Sequence, residues 1–228
     1  MIFTIAGGSG SGKSAFVNTL ESDLIDLNKR QNIIVLSFSF EMVSSRNVGR
    51  KLSNRLRRTT SELYSAEADL TDSEFQKVET TAKEIKDYPI YYVDTPSSVE
   101  EIEATIDYFH ENMAKGKWLV VILDHALLVE GDSERGTIVN LQKMFIRKKK
   151  LKNTSIIQIT QLNRNIEQPE RLNNSSSHYP MRSDLSASDA IFQASDYVIV
   201  LSRPELLNLQ FYGITRLPVK NKVYIHFL

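Results

Sequence analysis

A glycine-rich stretch near the amino terminus carries the clearest chemistry. Gly7-Gly8-Ser9-Gly10-Ser11-Gly12-Lys13-Ser14 fits the spacing Gly-x-x-x-x-Gly-Lys-Ser. It follows an apolar run, Ile2 to Ala6, and opens a helical pattern that starts at Lys13. In that setting glycines let successive backbone N–H groups converge on phosphate oxygens, and the helix amino terminus adds its positive dipole end. Lys13 would bridge β- and γ-phosphates, and Ser14 would ligate Mg2+. A chance Gly/Ser-rich turn is the competing reading, and the flanking strand and helix weigh against it.

Phosphate chemistry needs further residues. A second metal-side group should be an acid that ends a buried strand. Asp124 closes the most hydrophobic run, Trp118 to Leu123, and is preferred over Asp94, which also ends an apolar strand. Asp124 also reads as a turn-forming residue after a strand. Glu41 follows the second strand, where a carboxylate could polarise attacking water. Gln161 ends the fifth strand, where a neutral amide could sense a γ-phosphate. Glu41 and Gln161 read equally well as solvated strand-end groups.

The elements that would position these groups alternate. Ile33 to Phe40, Ile90 to Asp94, Trp118 to Asp124, Ser155 to Thr160 and Tyr197 to Leu201 read as further strands. Their continuous apolar character suits a parallel sheet buried on both faces. Helices are expected between them, on Phe16, Leu20, Leu24 and Leu27, on Val48, Leu52 and Leu56, and on Phe75, Val78, Ala82 and Ile85. Two more follow, on Val99, Ile102, Ile106, Phe109 and Met113, and over roughly Ser133 to Lys150. The polar stretch from Arg164 to Ala187 reads as a long loop, mobile from about Ile166. Phe211 and Val223 to Leu228 suggest a closing hairpin.

Composition bounds the function. The 228 residues hold 28 Lys and Arg against 28 Asp and Glu. A uniformly basic nucleic-acid binder is excluded, so any such contact is local. The absence of cysteine removes disulfide scaffolds, thiolate metal sites and thiol nucleophiles. The four histidines show no metal-ligand spacing. No apolar run is long enough to cross a bilayer, and the amino terminus lacks a basic leader.

Together these stretches resemble the C-terminal ATPase domain of DnaB-type replicative DNA helicases. The resemblance is carried by Gly12-Lys13-Ser14-Ala15-Phe16, Ser39-Phe40-Glu41-Met42, Asp94-Thr95-Pro96, Leu123-Asp124-His125, Thr160-Gln161-Leu162-Asn163-Arg164, and Ser183-Asp184-Leu185 with Gln193-Ala194-Ser195-Asp196. It implies one α/β, RecA-like P-loop ATPase domain over residues 1–228, with a mostly parallel twisted sheet and helices on both faces. It places the strand before Glu41 beside the P-loop strand. It implies ATP and Mg2+ as nucleotide and cofactor, Glu41 as catalytic base, and Gln161 as the coupler to the DNA loop. Arg50 matches an arginine near the nucleotide, and reads as well as a solvent-facing member of its basic helix.

Single-stranded DNA, a homo-hexamer in the full-length protein, a primase or helicase loader, and a bacterial or phage-infected cytoplasm follow from the same resemblance. Two departures stand out. The family's Arg-Glu-x-Gly run is replaced by Ser186-Ala187-Ser188-Asp189, leaving DNA contact to residues such as Arg164, Arg171 and Arg182. The chain is also expected to stop just before the family's arginine-finger element, which implies weak activity for these residues alone. Arg147 to Lys150 with Lys152 reads as a solvated helix end in preference to a DNA or partner contact. A small-molecule kinase of the uridine-kinase type and a non-hydrolysing nucleotide-binding module are the alternatives.

Overall fold

A computed structural model describes residues 1–64, 70–186 and 188–228. Its first elements are β1 (Ile2–Gly7), α1 (Lys13–Asp26), β2 (Ile33–Ser39) and α2 (Ser44–Leu56). The short α3 (Thr60–Tyr64), α4 (Asp72–Lys86), β3 (Ile90–Val93) and α5 (Val99–Tyr108) follow. Then come β4 (Trp118–Asp124), α6 (Glu134–Lys148), β5 (Thr154–Gln161) and α7 (Pro169–Leu172). The order ends with α8 (Ser188–Ala194), β6 (Tyr197–Ser202) and β7 (Tyr224–Phe227).

The strands form one sheet in the order β3-β2-β4-β5-β1-β6-β7. Neighbours are parallel except for the antiparallel pair β6 and β7. Every residue of β2 is buried, and β4 is buried apart from Trp118. Two helical layers explain that pattern. Ile102 and Ile106 of α5 and Leu141 and Phe145 of α6 cover Leu36, Phe38, Val121 and Leu123 on one face. Val17, Leu20 and Leu24 of α1 cover Ile5, Val35, Val120 and Ile122 on the other. The edge strands β3 and β7 are only half covered. Caps set the helix starts: Thr71 with Glu74 and Ser98 with Glu101 form capping boxes, and Ser133 accepts from the Gly136 N–H. Among the described residues no helix is long and apolar enough to cross a membrane.

Several expectations are corrected. β2 does not lie beside β1, because β4 and β5 stand between them. Leu27 is 77% exposed, since α1 ends at Asp26 and turns it outward. Phe75 is 61% exposed, because α4 buries only Ile85. Phe211 lies in the connection between β6 and β7 and forms no strand; Tyr212 and Leu217 pair there instead.

The stretch after β5 is not an open loop. It winds through short turns at Arg164–Glu167, α7, Ser175–Ser177 and Arg182–Asp184. The physical reason is Arg171. Its Nε donates to the Ser177 carbonyl (3.1 Å) and its Nη2 to the Tyr179 carbonyl (2.8 Å), while Nη1 pairs with the buried Asp184 carboxylate. Ile166 and His178 are buried with them. Ala187, included in the expected loop, lies outside the described residues.

A parallel sheet puts the carboxyl ends of its strands on one rim. Gly7, Ser39, Asp124 and Gln161 are therefore delivered to the same edge, where open α/β sheets bind ligands.

Candidate nucleotide site

The glycine-rich loop joins β1 to α1 at that rim. Gly12 holds φ +97°, a backbone that side-chain-bearing residues rarely adopt. A Cβ at Gly7 would stand 2.7 Å from the Leu201 carbonyl oxygen, so the loop packs against β6 only with glycine there. Lys13 is buried at the loop's centre, and its Nζ donates to the carbonyls of Gly7 and Gly8, both at 2.9 Å. Burial holds its ammonium below the usual lysine range, against the pull of Glu41 and Asp124.

A cavity of about 690 Å³ opens beside the loop. Ser9, Gly10, Gly12, Lys13 and Ser14 line it from the loop, Glu41 and Arg50 from the β2–α2 side, and Gln161 from the end of β5. Gly7 and Ser11 are buried and Gly8 is half-buried, and none of the three lines the cavity. Asp124 ends β4 at the same rim, 7% exposed and within electrostatic reach of Lys13 and Glu41, and among the described residues its buried Oδ1 has no hydrogen-bond partner. Burial, reinforced by the Glu41 carboxylate, pushes its carboxyl up to about 6, against Lys13. The rival, Asp94, lies on the edge side of the sheet, exposed, and accepts from the Ser44 N–H at the start of α2 (3.1 Å). That bond holds its carboxyl below the usual range.

Four buried polar atoms lack partners among the described residues: Ser11 Oγ, Asp124 Oδ1, His125 Nδ1 and Thr160 Oγ1. All belong to the loop or to the ends of β4 and β5, around this rim. Buried polar groups left unpaired are few in folded proteins, and their gathering here marks a place built for a polar occupant. A divalent cation fits that chemistry: the Ser14 hydroxyl and the Asp124 carboxylate are hard oxygen ligands. Among the described residues no three His, Asp or Glu side chains gather into a metal cage. Mg2+ needs none, since it keeps waters and takes substrate phosphate oxygens.

Two groups escaped the sequence reading. Asn18 of α1 donates to the Asn47 carbonyl (3.0 Å), Asn47 to Ser39 Oγ (2.8 Å), and Ser39 Oγ to the Met42 carbonyl (2.7 Å). This buried chain ties the turn carrying Glu41 to the helix that opens at Lys13. His125, read only as the residue after Asp124, has Nε2 2.8 Å from Gln161 Nε2. Burial keeps its ring below the usual histidine range. No local periodicity points to either contact, because both join elements far apart in sequence.

The three arginines expected at DNA differ in placement. Arg164 is exposed. Arg182 is half-exposed, pairs with Asp189 (3.3 Å) and lies over the Phe192 ring (4.4 Å). Arg171 is a correction: its guanidinium is turned inward onto Asp184 and two carbonyls, leaving it unsuited to phosphate contact. The basic run at the end of α6 is paired within the chain, Arg147 with Glu103, Lys148 with Glu103 and Asp107, and Lys149 with Asp196.

Known proteins place this arrangement. Among solved structures, one ATPase domain superposes with a TM-score of 0.78 at 22% identity, covering 100% of this chain and 80% of that one. A DnaB-like replicative helicase, solved with its interactions with primase, gives a TM-score of 0.78 at 21% identity, covering 100% of this chain and 54% of that one. The mostly parallel sheet is thus the RecA-like fold of these ATPase domains. No curated protein matches the sequence significantly. The family described as DnaB-like helicase C terminal domain matches residues 1–223, and the chain belongs to that family.

Proposed function

We propose that this chain is the motor domain of a replicative DNA helicase, in which ATP hydrolysis at the cleft beside Lys13 drives movement along single-stranded DNA. One observation carries the reading. Lys13, Glu41 and Gln161, which follow β1, follow β2 and end β5, line one cavity, and Asp124 at the end of β4 is buried within electrostatic reach of Lys13 and Glu41, in a chain of the DnaB-like family.

The chemistry follows from the residues. Lys13 Nζ exchanges the Gly7 and Gly8 carbonyls for β- and γ-phosphate oxygens, while loop N–H groups bind the rest of the triphosphate. Ser14 and Asp124 would hold Mg2+, which would neutralise charge on the phosphate oxygens. Glu41 accepts a proton from water as the water oxygen bonds to the γ-phosphorus and the bond to the ADP oxygen breaks. Gln161 contacts the γ-phosphate side of the cleft from β5, whose end leads directly into Asn163 and Arg164. That continuity gives the cleft a short mechanical path to Arg164 and Arg182, the exposed arginines proposed to meet DNA phosphates. Arg50, on the cleft wall, adds positive charge near the nucleotide. The structural neighbour solved with its interactions with primase supports a primase partner for the full-length protein, and membership of the DnaB-like family implies a hexamer.

Turnover of Mg2+-ATP with and without oligo-dT tests the reading. DNA-stimulated release of ADP and phosphate is expected. Transfer of the γ-phosphate to a nucleoside acceptor, or nucleotide binding without any turnover, would replace it with the kinase or the passive module.

A further inference from the structure

His125 has no part in the chemistry described above, yet its setting is unusual. It is 8% exposed and holds φ +74°, a left-handed backbone uncommon for residues with side chains. Its Nε2 lies 2.8 Å from Gln161 Nε2. An amide nitrogen only donates, so the ring nitrogen accepts, and the proton of the neutral ring is on Nδ1. Nδ1 itself is buried without a partner. The ring thus makes no other hydrogen bond among the described residues.

The sheet explains why Gln161 needs such a contact. On the β1 side the ladder runs to the end of the strand, pairing Gly7 with Gln161. On the β4 side it stops at Leu123 and Gln158. Among the described residues the last residues of β5 therefore have no strand partner on that side. The chain leaves β4 through the left-handed turn at His125, and this turn brings the ring against the Gln161 amide.

We propose that His125 is a positioning residue for Gln161: its Nε2 holds the amide in a single orientation facing the nucleotide cleft. The consequence for turnover rests on the proposed role of Gln161; the pairing itself does not. A glutamine side chain free of this acceptor can rotate and flip its amide. Held, it presents the carbonyl oxygen and the remaining N–H at fixed positions.

Two measurements test this. Imidazole 15N spectra of the intact chain, with the His125 signals assigned by their loss in H125N, should show the Nδ1–H tautomer. In Q161A the acceptor is no longer engaged, and the tautomer balance of His125 should shift. Steady-state turnover supplies the second test. Asn tolerates a left-handed backbone but is too short to reach Gln161, so H125N should fold. It should keep its nucleotide Kd within about twofold and lose about tenfold in kcat, the size expected for one positioning hydrogen bond. H125N/Q161A should be no slower than Q161A alone, because both changes remove the same contact. An Nε2–H tautomer in the parent, a tautomer unmoved by Q161A, or losses that multiply in the double variant would each overturn the proposal. If the chain turns over no ATP at all, the proposed function fails, while the tautomer and its response to Q161A still decide the pairing.

Discussion

Asp124 and Lys13 are charged groups held in a place that disfavours charge. For Asp124 the effect has a sign. Its carboxyl is raised from 3.8 to about 6, so the folded chain binds a proton more tightly than the unfolded one. Stability from this group is greatest below pH 4, falls as pH rises from about 4 to 6, and stays low above that. A shift of this size corresponds to about 3 kcal/mol at pH 7. D124N removes the charge and keeps the shape. The variant should therefore melt higher than the parent at pH 7.5 without Mg2+, and the gap should close near pH 4. It should also lose Mg2+-dependent tightening of ATP binding. A melting temperature that falls at pH 7.5 would show that Asp124 is engaged in the apo fold after all. Such an exchange of stability for a poised charge is what a binding site requires.

At the scale of elements, the strands were legible and their order was not. Ile33 to Phe40 and Trp118 to Asp124 read as strands because helices on both faces demand continuous apolar runs. Ser133 reads as a helix start because caps are local chemistry. The position of Glu41 was harder. Its strand is separated from the P-loop strand by β4 and β5, yet it reaches the cleft because those strands bring their ends to the same rim. Arg171 was misread for a similar reason. A polar segment rich in Asn and Ser looks open until one arginine finds Asp184, and no periodicity announces that pair. Its side chain is 12% exposed and that of Asp184 1%, so removing one partner strands a buried charge. R171A should destabilise the chain by about 3–5 kcal/mol, lowering its melting temperature by roughly 10 °C. R171A/D184A should recover part of that loss. A melting temperature unchanged in R171A would mean that the pair does not hold the segment.

For the whole molecule, the balanced charge confines any nucleic-acid contact to particular side chains. Arg164 follows β5 directly and is exposed, whereas Arg171 faces inward. Replacing Arg164 with Ala should flatten the salt dependence of oligo-dT binding by about one unit of log–log slope. An R171M chain that stays folded should keep the parent slope. Equal slopes for R164A and the parent would move the DNA contact elsewhere. The same economy of placement runs through the cleft. Residues that follow β1 and β2 and the last residue of β5 line it, with Asp124 at the end of β4 on the same rim, although Lys13, Glu41, Asp124 and Gln161 lie in no common local motif.

In the proposed mechanism Glu41 activates water in this cleft while Lys13 binds the phosphates. Its most direct test compares nucleotide affinity with turnover in E41Q, with K13A beside it. With Glu41 proposed to act on the attacking water and not on the bound phosphates, E41Q should keep the parent Kd for ATP and lose about a hundredfold or more in kcat. K13A should lose the binding itself. An E41Q chain that hydrolyses ATP at the parent rate would show that Glu41 does not activate the water.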